Sequence, residues 1–360
     1  MAARGHQVRI LQPLPRVPLF LRSGPRADWR SYPKRQRSEG LDIIRPRYLH
    51  LPGRALGNAR RFARVAVSSL ASPDVVVADY AWPAARIASH LADLEIPCVV
   101  HGRGSDVLHV RENPALAREL SLSLQSAGHW CAVSEDLVLA LDELGQSPGH
   151  GVLTPNGVDT ARFTPGDREG ARRRLDHSGD TRPWVLVVGH LIERKDPLLA
   201  LEAFRVGAPR DARLIYLGRG PLEAQLRAAA KAPDLEGRVD LIGEVSPEEL
   251  ADWYRAGDAL LLTSSREGRP NVVLEAFACG LPVVATSAGG TAELFGSWEG
   301  GLALTRAASD IGGRLARVLD TPPPTAELVS GVRNLTWERS FEALEGVLQA
   351  ALNDAGGGSV

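Results

Sequence analysis

Residues 263–286, TSSREGRPNVVLEAFACGLPVVAT, carry two carboxylates, Glu267 in a polar loop and Glu275 inside an apolar-periodic stretch. The segment reads as strand, loop, helix, glycine stop and strand. Glu267 then stands at the carboxyl end of a strand, where open α/β sheets bind ligands, and Gly268 lets the backbone approach a ligand closely. Free backbone N–H groups at the helix start, near Pro270, Asn271 and Val272, suit a diphosphate through unsatisfied donors and the helix dipole. Glu275, further into the helix, is suited to accepting hydrogen bonds from hydroxyls. The alternative open at this point is that Glu267 is a loop charge and Glu275 a dipole partner of its helix. A second constellation, HGRGSD at His101–Asp106, follows a strand ending at Val100 and so also stands at a carboxyl edge.

Loops so placed need parallel sheets behind them, and strand-like runs alternate with helical ones along the whole chain. In the first half strands are expected at residues 7–11, 74–78, 97–100, 130–133 and 151–154. Helices are expected at 84–94, 114–126 and 135–144, the last capped by Ser134. The second series of strands is expected at 184–188, 213–217, 239–242, 259–263 and 282–285. Asp196-Pro197 reads as an N-cap and first helical position, Ser246-Pro247-Glu248-Glu249 as a capping box, and Gly280 as a helix stop. Between the two series, Asp159 to Pro183 is polar and turn-rich, with Gly166, Gly170, Gly179 and three consecutive arginines. A linker is placed at 166–183, giving domains 1–165 and 184–340, with 341–360 as a last helix and flexible tail. The length, 360 residues, exceeds one ordinary core and agrees with two domains and a cleft.

Glu267 and Glu275, with seven residues between them in the setting EGRPNVVLEAFACGLPVVAT, resemble the E-x7-E motif of family 4 glycosyltransferases. The resemblance extends to PNGVD at Pro155–Asp159, VGHLIERK at Val188–Lys195, LGRGP at Leu217–Pro221, and Gly289-Gly290 followed by Glu293, and spans residues 74–340. It implies an α/β chain of GT-B fold: two facing Rossmann-like doubly wound parallel-sheet domains, the donor held by the second and the acceptor by the first. The implied activity is retaining transfer from a UDP- or GDP-linked nucleotide sugar to a glycan or lipid-linked acceptor, in cell-surface polysaccharide biosynthesis. Glu267 inherits contact with the donor sugar hydroxyls and Glu275 contact with the ribose. Lys195 inherits the stabilisation of negative charge on the departing nucleoside diphosphate, a task for preorganised cations. After Gly189 the family often has arginine where this chain has His190; either Arg194 compensates or His190 donates a hydrogen bond while neutral. In the first domain two registers compete for the residue that reaches the transferred sugar, Arg103 with Asp106 being preferred and His101 second. Gly218 and Gly220 form a tight turn, and backbone near Leu241 to Gly243 closes a base pocket. Trp337, with Glu338 and Phe341, resembles the segment before a final helix that returns to the first domain. The leaving phosphate itself is expected to take the acceptor's proton, so no protein nucleophile is sought. Two other readings are a GT-B nucleotide-sugar epimerase and an inactive, truncated nucleotide-sugar-binding fragment or subunit.

Composition narrows the partners. With 44% hydrophobic and 24% charged residues the chain is an ordinary globular sequence. Cys98, Cys131 and Cys279 are far apart and apolar-flanked, which indicates buried thiols and no CxxC site. No metal is expected, since no Asp-x-Asp follows a strand, and no cofactor beyond the nucleotide-sugar co-substrate. The absence of GxGxxG disfavours a nicotinamide dehydrogenase. Residues 1–70 hold 15 Lys and Arg against Asp28, Glu39 and Asp42, an excess of 12 positive charges. Arg16, Arg22, Arg26, Arg30, Lys34, Arg35 and Arg37 either attract anionic lipid, giving peripheral contact at the inner face of the membrane, or are a solvated surface. Nucleic acid is not expected, because no aromatic stacking pattern accompanies them. No apolar run nears the roughly 18 to 20 residues of a membrane span and no signal-peptide h-region opens the chain, which points to the cytoplasm. MAARGH running directly into QVRIL reads as a helix end entering a strand, so one βα unit is expected to precede Met1, leaving the first domain N-terminally incomplete.

Overall fold

Short aliphatic and β-branched runs, each closed by a glycine or a polar turn, become strands in both halves of the chain. The computed structural model describes residues 1–16, 29, 31–296 and 298–356 and separates into two units, Met1–Thr154 with Phe341–Val360, and Pro155–Ser340.

In the first unit, among the described residues, the strands are β1 (Arg9–Leu11), β2 (Leu14–Arg16), β3 (Arg35–Ser38), β4 (Leu41–Ile44), β5 (Arg47–Leu49), β6 (Val76–Asp79), β7 (Cys98–Gly102), β8 (Gly128–Ala132) and β9 (Val152–Leu153). The main sheet is parallel, in the order β6-β7-β8-β9. Its side chains alternate between faces, as the strand period requires. Cys98, Val100 and Trp130 join a core with Leu120, Leu124, Leu137 and Leu141 from two helices, Pro114–Ala127 and Glu135–Gly145. Val99 and Cys131 point the other way, onto Val347, Leu348 and Ala351 of the helix Trp337–Gly356.

Residues 7–11, expected in the doubly wound sheet, instead supply β1 to a separate three-stranded sheet, parallel to β4, with β3 antiparallel on β4's other side. β2 and β5 form a further parallel pair. All of these strands but β4 contain arginine, and the charge hid their pattern. The helix expected at 84–94 is broken into Ala81–Ala84, a 3₁₀ turn Ala85–Ile87, and Ala88–Ala92. Upstream of the expected start, Pro83 holds Trp82 out of helical geometry, at φ −112° and ψ 126°.

The second unit contains β10 (Trp184–Val188), β11 (Arg213–Leu217), β12 (Val239–Gly243), β13 (Ala259–Leu262), β14 (Val283–Thr286) and β15 (Leu302–Ala303). All are parallel, in the order β12-β11-β10-β13-β14-β15. The chain thus leaves β10 in one direction through β11 and β12, then returns to its other side at β13. This reversal is the switch point at which doubly wound sheets open a crevice at their carboxyl edge. The helix signals hold: Asp196 accepts from Leu199 N, and Ser246 and Glu249 form a reciprocal capping box. Residues 166–183, expected as a linker, belong to this unit. Asp167 caps a helix, Arg168–Arg174, whose Arg172 is buried against the sheet.

Candidate functional site

In the second unit, the loops after β10 and β13 flank the switch point and are fastened together. Ser265 N donates to the Arg194 carbonyl at 2.8 Å, and Thr263 Oγ1 donates to the carbonyls of Asp196 at 2.8 Å and Lys195 at 3.1 Å. On this frame Lys195 Nζ reaches Glu267 Oε1 at 2.5 Å. Arg194 Nη1 donates to the Arg266 carbonyl at 2.8 Å and to Glu267 Oε2 at 3.3 Å. The Glu267 side chain is only 8% exposed, a position a carboxylate occupies at low cost only with such partners. Gly189, at φ 132°, turns the chain beside the Lys195 stem. The Gly289-Gly290 pair closes the far side: a Cβ on Gly289 would lie 2.0 Å from the Glu267 carbonyl oxygen, and Gly290 N donates to the Gly268 carbonyl.

The helix that follows runs Asn271–Ala278 with Pro270 at its N-cap and no side-chain cap, so its first N–H groups keep the unsatisfied donors of a helix start. Asn156 of the PNGVD segment holds this start in place, donating through Nδ2 to the Arg269 carbonyl at 3.1 Å and to Asn271 Oδ1 at 2.9 Å. Arg269 in turn pairs with Glu293 at 2.9 Å. Chemically, two cations and an uncapped helix start beside a buried carboxylate can take up an anion and accept hydrogen bonds from neighbouring hydroxyls.

Glu275 lies apart from this group. It accepts from Tyr254 Oη at 2.9 Å and lines a hollow of about 680 Å³ with Asp159, Arg162, Asn271, Trp337 and Glu338, a hollow that neither Glu267 nor Lys195 lines. The Lys195 and Glu267 pair is the better candidate for chemistry, because its ammonium and carboxylate meet at 2.5 Å, whereas the Arg162 and Asp159 charges of the hollow lie 3.9 Å apart. Burial pushes the Glu275 carboxyl up, and the Tyr254 bond offsets only part of this. The folded state therefore holds an extra proton just above the ordinary glutamate range, and stability falls as pH rises through that range. Glu275→Gln, which keeps the acceptor for Tyr254, is expected to unfold at a higher temperature than the unsubstituted chain at neutral pH and to lose this advantage below the glutamate range. Parallel melting curves across the range would refute the assignment.

The other residues expected on this edge divide. Gly218, at φ 141°, is required because a Cβ there would meet the Gly189 carbonyl oxygen at 2.1 Å. Its N–H donates to the Gly243 carbonyl and that of Gly189 to the Leu217 carbonyl, so both N–H groups bind the ends of neighbouring strands. Leu241 is half-buried in β12 and His190 is exposed. Val272 is half-buried in the first turn of its helix.

In the first unit, Arg103 and His101 take different environments: the Arg103 side chain is 37% exposed and that of His101 4%. Asp106 is buried, and its carboxylate accepts from the N–H groups of Arg103 at 3.1 Å and Gly104 at 2.6 Å, so it braces the loop. Burial raises the Asp106 carboxyl above its ordinary range, against those N–H bonds. Sequence reasoning missed Asp79, which contacts both His101 and Arg103. It ends β6, which pairs with β7, and only that pairing brings it to the loop of Arg103. Asn156 and Tyr254 were also missed as partners.

Arg22, Arg26 and Arg30 lie outside the described residues, and Arg16, Lys34, Arg35 and Arg37 are exposed. Among the described residues no helix is long and apolar enough to cross a membrane.

Residues 171–334 match the family model described as "Glycosyl transferases group 1", and residues 1–157 the model described as "Glycosyl transferase 4-like domain". A D-inositol 3-phosphate glycosyltransferase from Geodermatophilus obscurus is 34% identical over 231 residues, 59% of this chain and 50% of the relative. TuaC of Bacillus subtilis, a glycosyltransferase named for teichuronic acid biosynthesis, is 28% identical over 278 residues, 74% of this chain and 68% of the relative. The chain thus spans about half the length of the D-inositol 3-phosphate glycosyltransferase it matches. A solved sucrose-phosphate synthase from Thermosynechococcus elongatus superposes with a TM-score of 0.72 at 20% identity, covering 99% of this chain and 88% of that one.

Proposed function

Because the chain belongs to the group 1 and 4-like glycosyltransferases and has their GT-B fold of two Rossmann-like units, we propose that it transfers a sugar from a nucleotide-sugar donor with retention of anomeric configuration. The observation that carries this reading is the Lys195–Glu267–Arg194 cluster at the switch point, next to an uncapped helix start. In this reading the diphosphate lies against the helix start and the two cations, which stabilise the charge that develops as the nucleoside diphosphate departs. Glu267 accepts from donor-sugar hydroxyls, and Glu275 from the ribose. Already held by two cations, Glu267 is poorly placed to act as a nucleophile, which supports departure and attack on one sugar face with the leaving phosphate taking the proton. Lys195 and Arg194 meet the charge without a resident metal.

The acceptor, a glycan or lipid-linked sugar of a cell-surface polymer, is assigned to the Arg103 loop of the first unit. The relative named for teichuronic acid biosynthesis supports this class. Exposed Arg16, Lys34 and Arg37 favour peripheral contact with anionic lipid on the cytoplasmic side.

One experiment tests the whole reading. UDP-, GDP- and ADP-sugars are incubated with the protein, anionic vesicles and a lipid-linked acceptor, with and without EDTA. Nucleotide release from one donor class, an α-linked product from an α-linked donor, EDTA resistance and co-sedimentation with the vesicles are expected. Release from no donor, or an inverted product, would remove the proposal.

A further inference from the structure

At the carboxyl ends of β6, β7 and β9, four side chains form a line running from the interior to the surface of the first unit. Thr154 Oγ1 is 3.0 Å from His101 Nε2, His101 Nδ1 is 3.2 Å from Asp79 Oδ1, and the same Asp79 oxygen accepts from Arg103 Nε at 2.7 Å. Thr154 and His101 are 1% and 3% exposed, so neither reaches a ligand. The Asp79 and Arg103 side chains are 54% and 37% exposed. A neutral imidazole donates from one nitrogen and accepts at the other. With Asp79 as an acceptor, Nδ1 carries the hydrogen and Nε2 accepts from the Thr154 hydroxyl, which is nearer to it than to its other neighbour, the Ala132 carbonyl at 3.3 Å.

The loop beside this line is fixed as well. Tyr80, which follows Asp79, sits at φ 69° and ψ 77°, a conformation that bulky residues hold only where their surroundings over-determine it. Its hydroxyl is 2.9 Å from Ser105 Oγ, tying the end of β6 to the loop of Arg103. An exposed Arg–Asp pair alone contributes little, since two mobile side chains must be ordered to make it. Here one partner is already anchored to a buried imidazole.

We propose that Asp79 is a positioning residue: anchored by the buried His101–Thr154 pair, it orients the Arg103 guanidinium toward the hydroxyl or anionic group of the acceptor. The inference rests on the transferase reading of Arg103 and adds the residue through which that arginine is aimed.

Steady-state kinetics of the full chain, with acceptor and donor varied separately, test it. Asp79→Asn keeps the size and one acceptor oxygen for His101 but removes the charge that holds Arg103. It is expected to raise the acceptor KM by about tenfold or more, as for loss of a charge-assisted hydrogen bond, with the donor KM unmoved. Asp79→Glu is expected to recover part of the loss. The double variant Asp79→Asn/Arg103→Ala is expected to be no worse than Arg103→Ala alone, because both remove one interaction. An unchanged acceptor KM, a loss falling on the donor KM, or losses that multiply in the double variant would overturn the proposal. If no donor is turned over, the transferase reading fails first, and nitrogen NMR of the His101 ring still decides the geometry. The Nδ1–H tautomer should be present in the unsubstituted chain and lost in Asp79→Ala, and identical spectra would sink the proposal independently.

Discussion

Lys195→Ala is expected to lower kcat by about 10²–10³-fold, the loss typical of removing one preorganised stabiliser of developing charge. The cation stands at a switch point, where its stem lies beside the Gly189 turn and its ammonium meets Glu267 at 2.5 Å. Charge on a departing diphosphate grows between the ground state and the transition state, so its loss should fall mainly on kcat and less on the donor KM. Lys195→Arg keeps the charge but brings a planar, broader group into a site built for a point charge, and should restore only part of the rate. Glu267→Gln separates the two partners: it removes the carboxylate while leaving an oxygen for sugar hydroxyls, and frees both cations. It should weaken discrimination among donor sugars more than affinity for the free nucleoside diphosphate. The fold should survive Lys195→Ala, because Arg194 still reaches Glu267 at 3.3 Å and the loop frame rests on backbone bonds from Ser265 and Thr263. Turnover within twofold of the unsubstituted chain, with a normal melting curve, would strip Lys195 of its role.

Much of this edge was legible because its elements follow local rules. Strand, loop and helix around Glu267 come from apolar runs and glycine punctuation, and β10 and β11 begin and end where the sequence places them, Trp184–Val188 and Arg213–Leu217. Caps at Asp196 and Ser246 are short-range hydrogen bonds, so a few residues suffice to specify them. What the sequence concealed depends on side chains far apart in the chain. Asp79 and Arg103 are neighbours only because β6 and β7 pair in register, and nothing local to either residue says so. The different exposure of His101 and Arg103 also required the sheet: both faces of β7 are covered, so His101 within it is buried, whereas Arg103 follows the strand's end. In the arginine-rich first 50 residues, strands β2 to β5 lack a clean apolar alternation, since arginine stems cover apolar surface while their heads stay in water. The same property disguised the run Arg172-Arg173-Arg174, in which one helical face buries the first residue and leaves the next two exposed.

That run leads to the largest stability effect expected away from the site. Asp258→Ala should destabilise the second unit by about 3–5 kcal/mol, the range for removing one partner of a buried charge pair. Asp258 Oδ2 accepts from Arg172 Nη2 at 2.8 Å and from the Trp184 backbone N–H at 2.8 Å, and its other oxygen pairs with Arg168. Arg172 is buried, stacked with its guanidinium carbon 4.4 Å from the Trp184 ring, and cannot turn to water without breaking that stack and its bonds to the Ala256 and Asp180 carbonyls. The Trp184 N–H opens β10, the strand from which the sheet grows in both directions, so the unpaired donor lies at the centre of the unit. Asp180 completes the network through Arg213 and the Trp184 indole. Arg182 first, and then Arg213, hold its carboxyl well below the ordinary range against the opposing effect of burial. A depressed carboxyl contributes its stability above the ordinary aspartate range and loses it only as pH falls toward the folded value. Acid should therefore weaken the unsubstituted network late, whereas Asp258→Ala should already be weak at neutral pH. Urea unfolding followed by tryptophan fluorescence at neutral pH checks the difference, and an unchanged midpoint would mean that Arg172 and the Trp184 N–H are satisfied by groups other than Asp258.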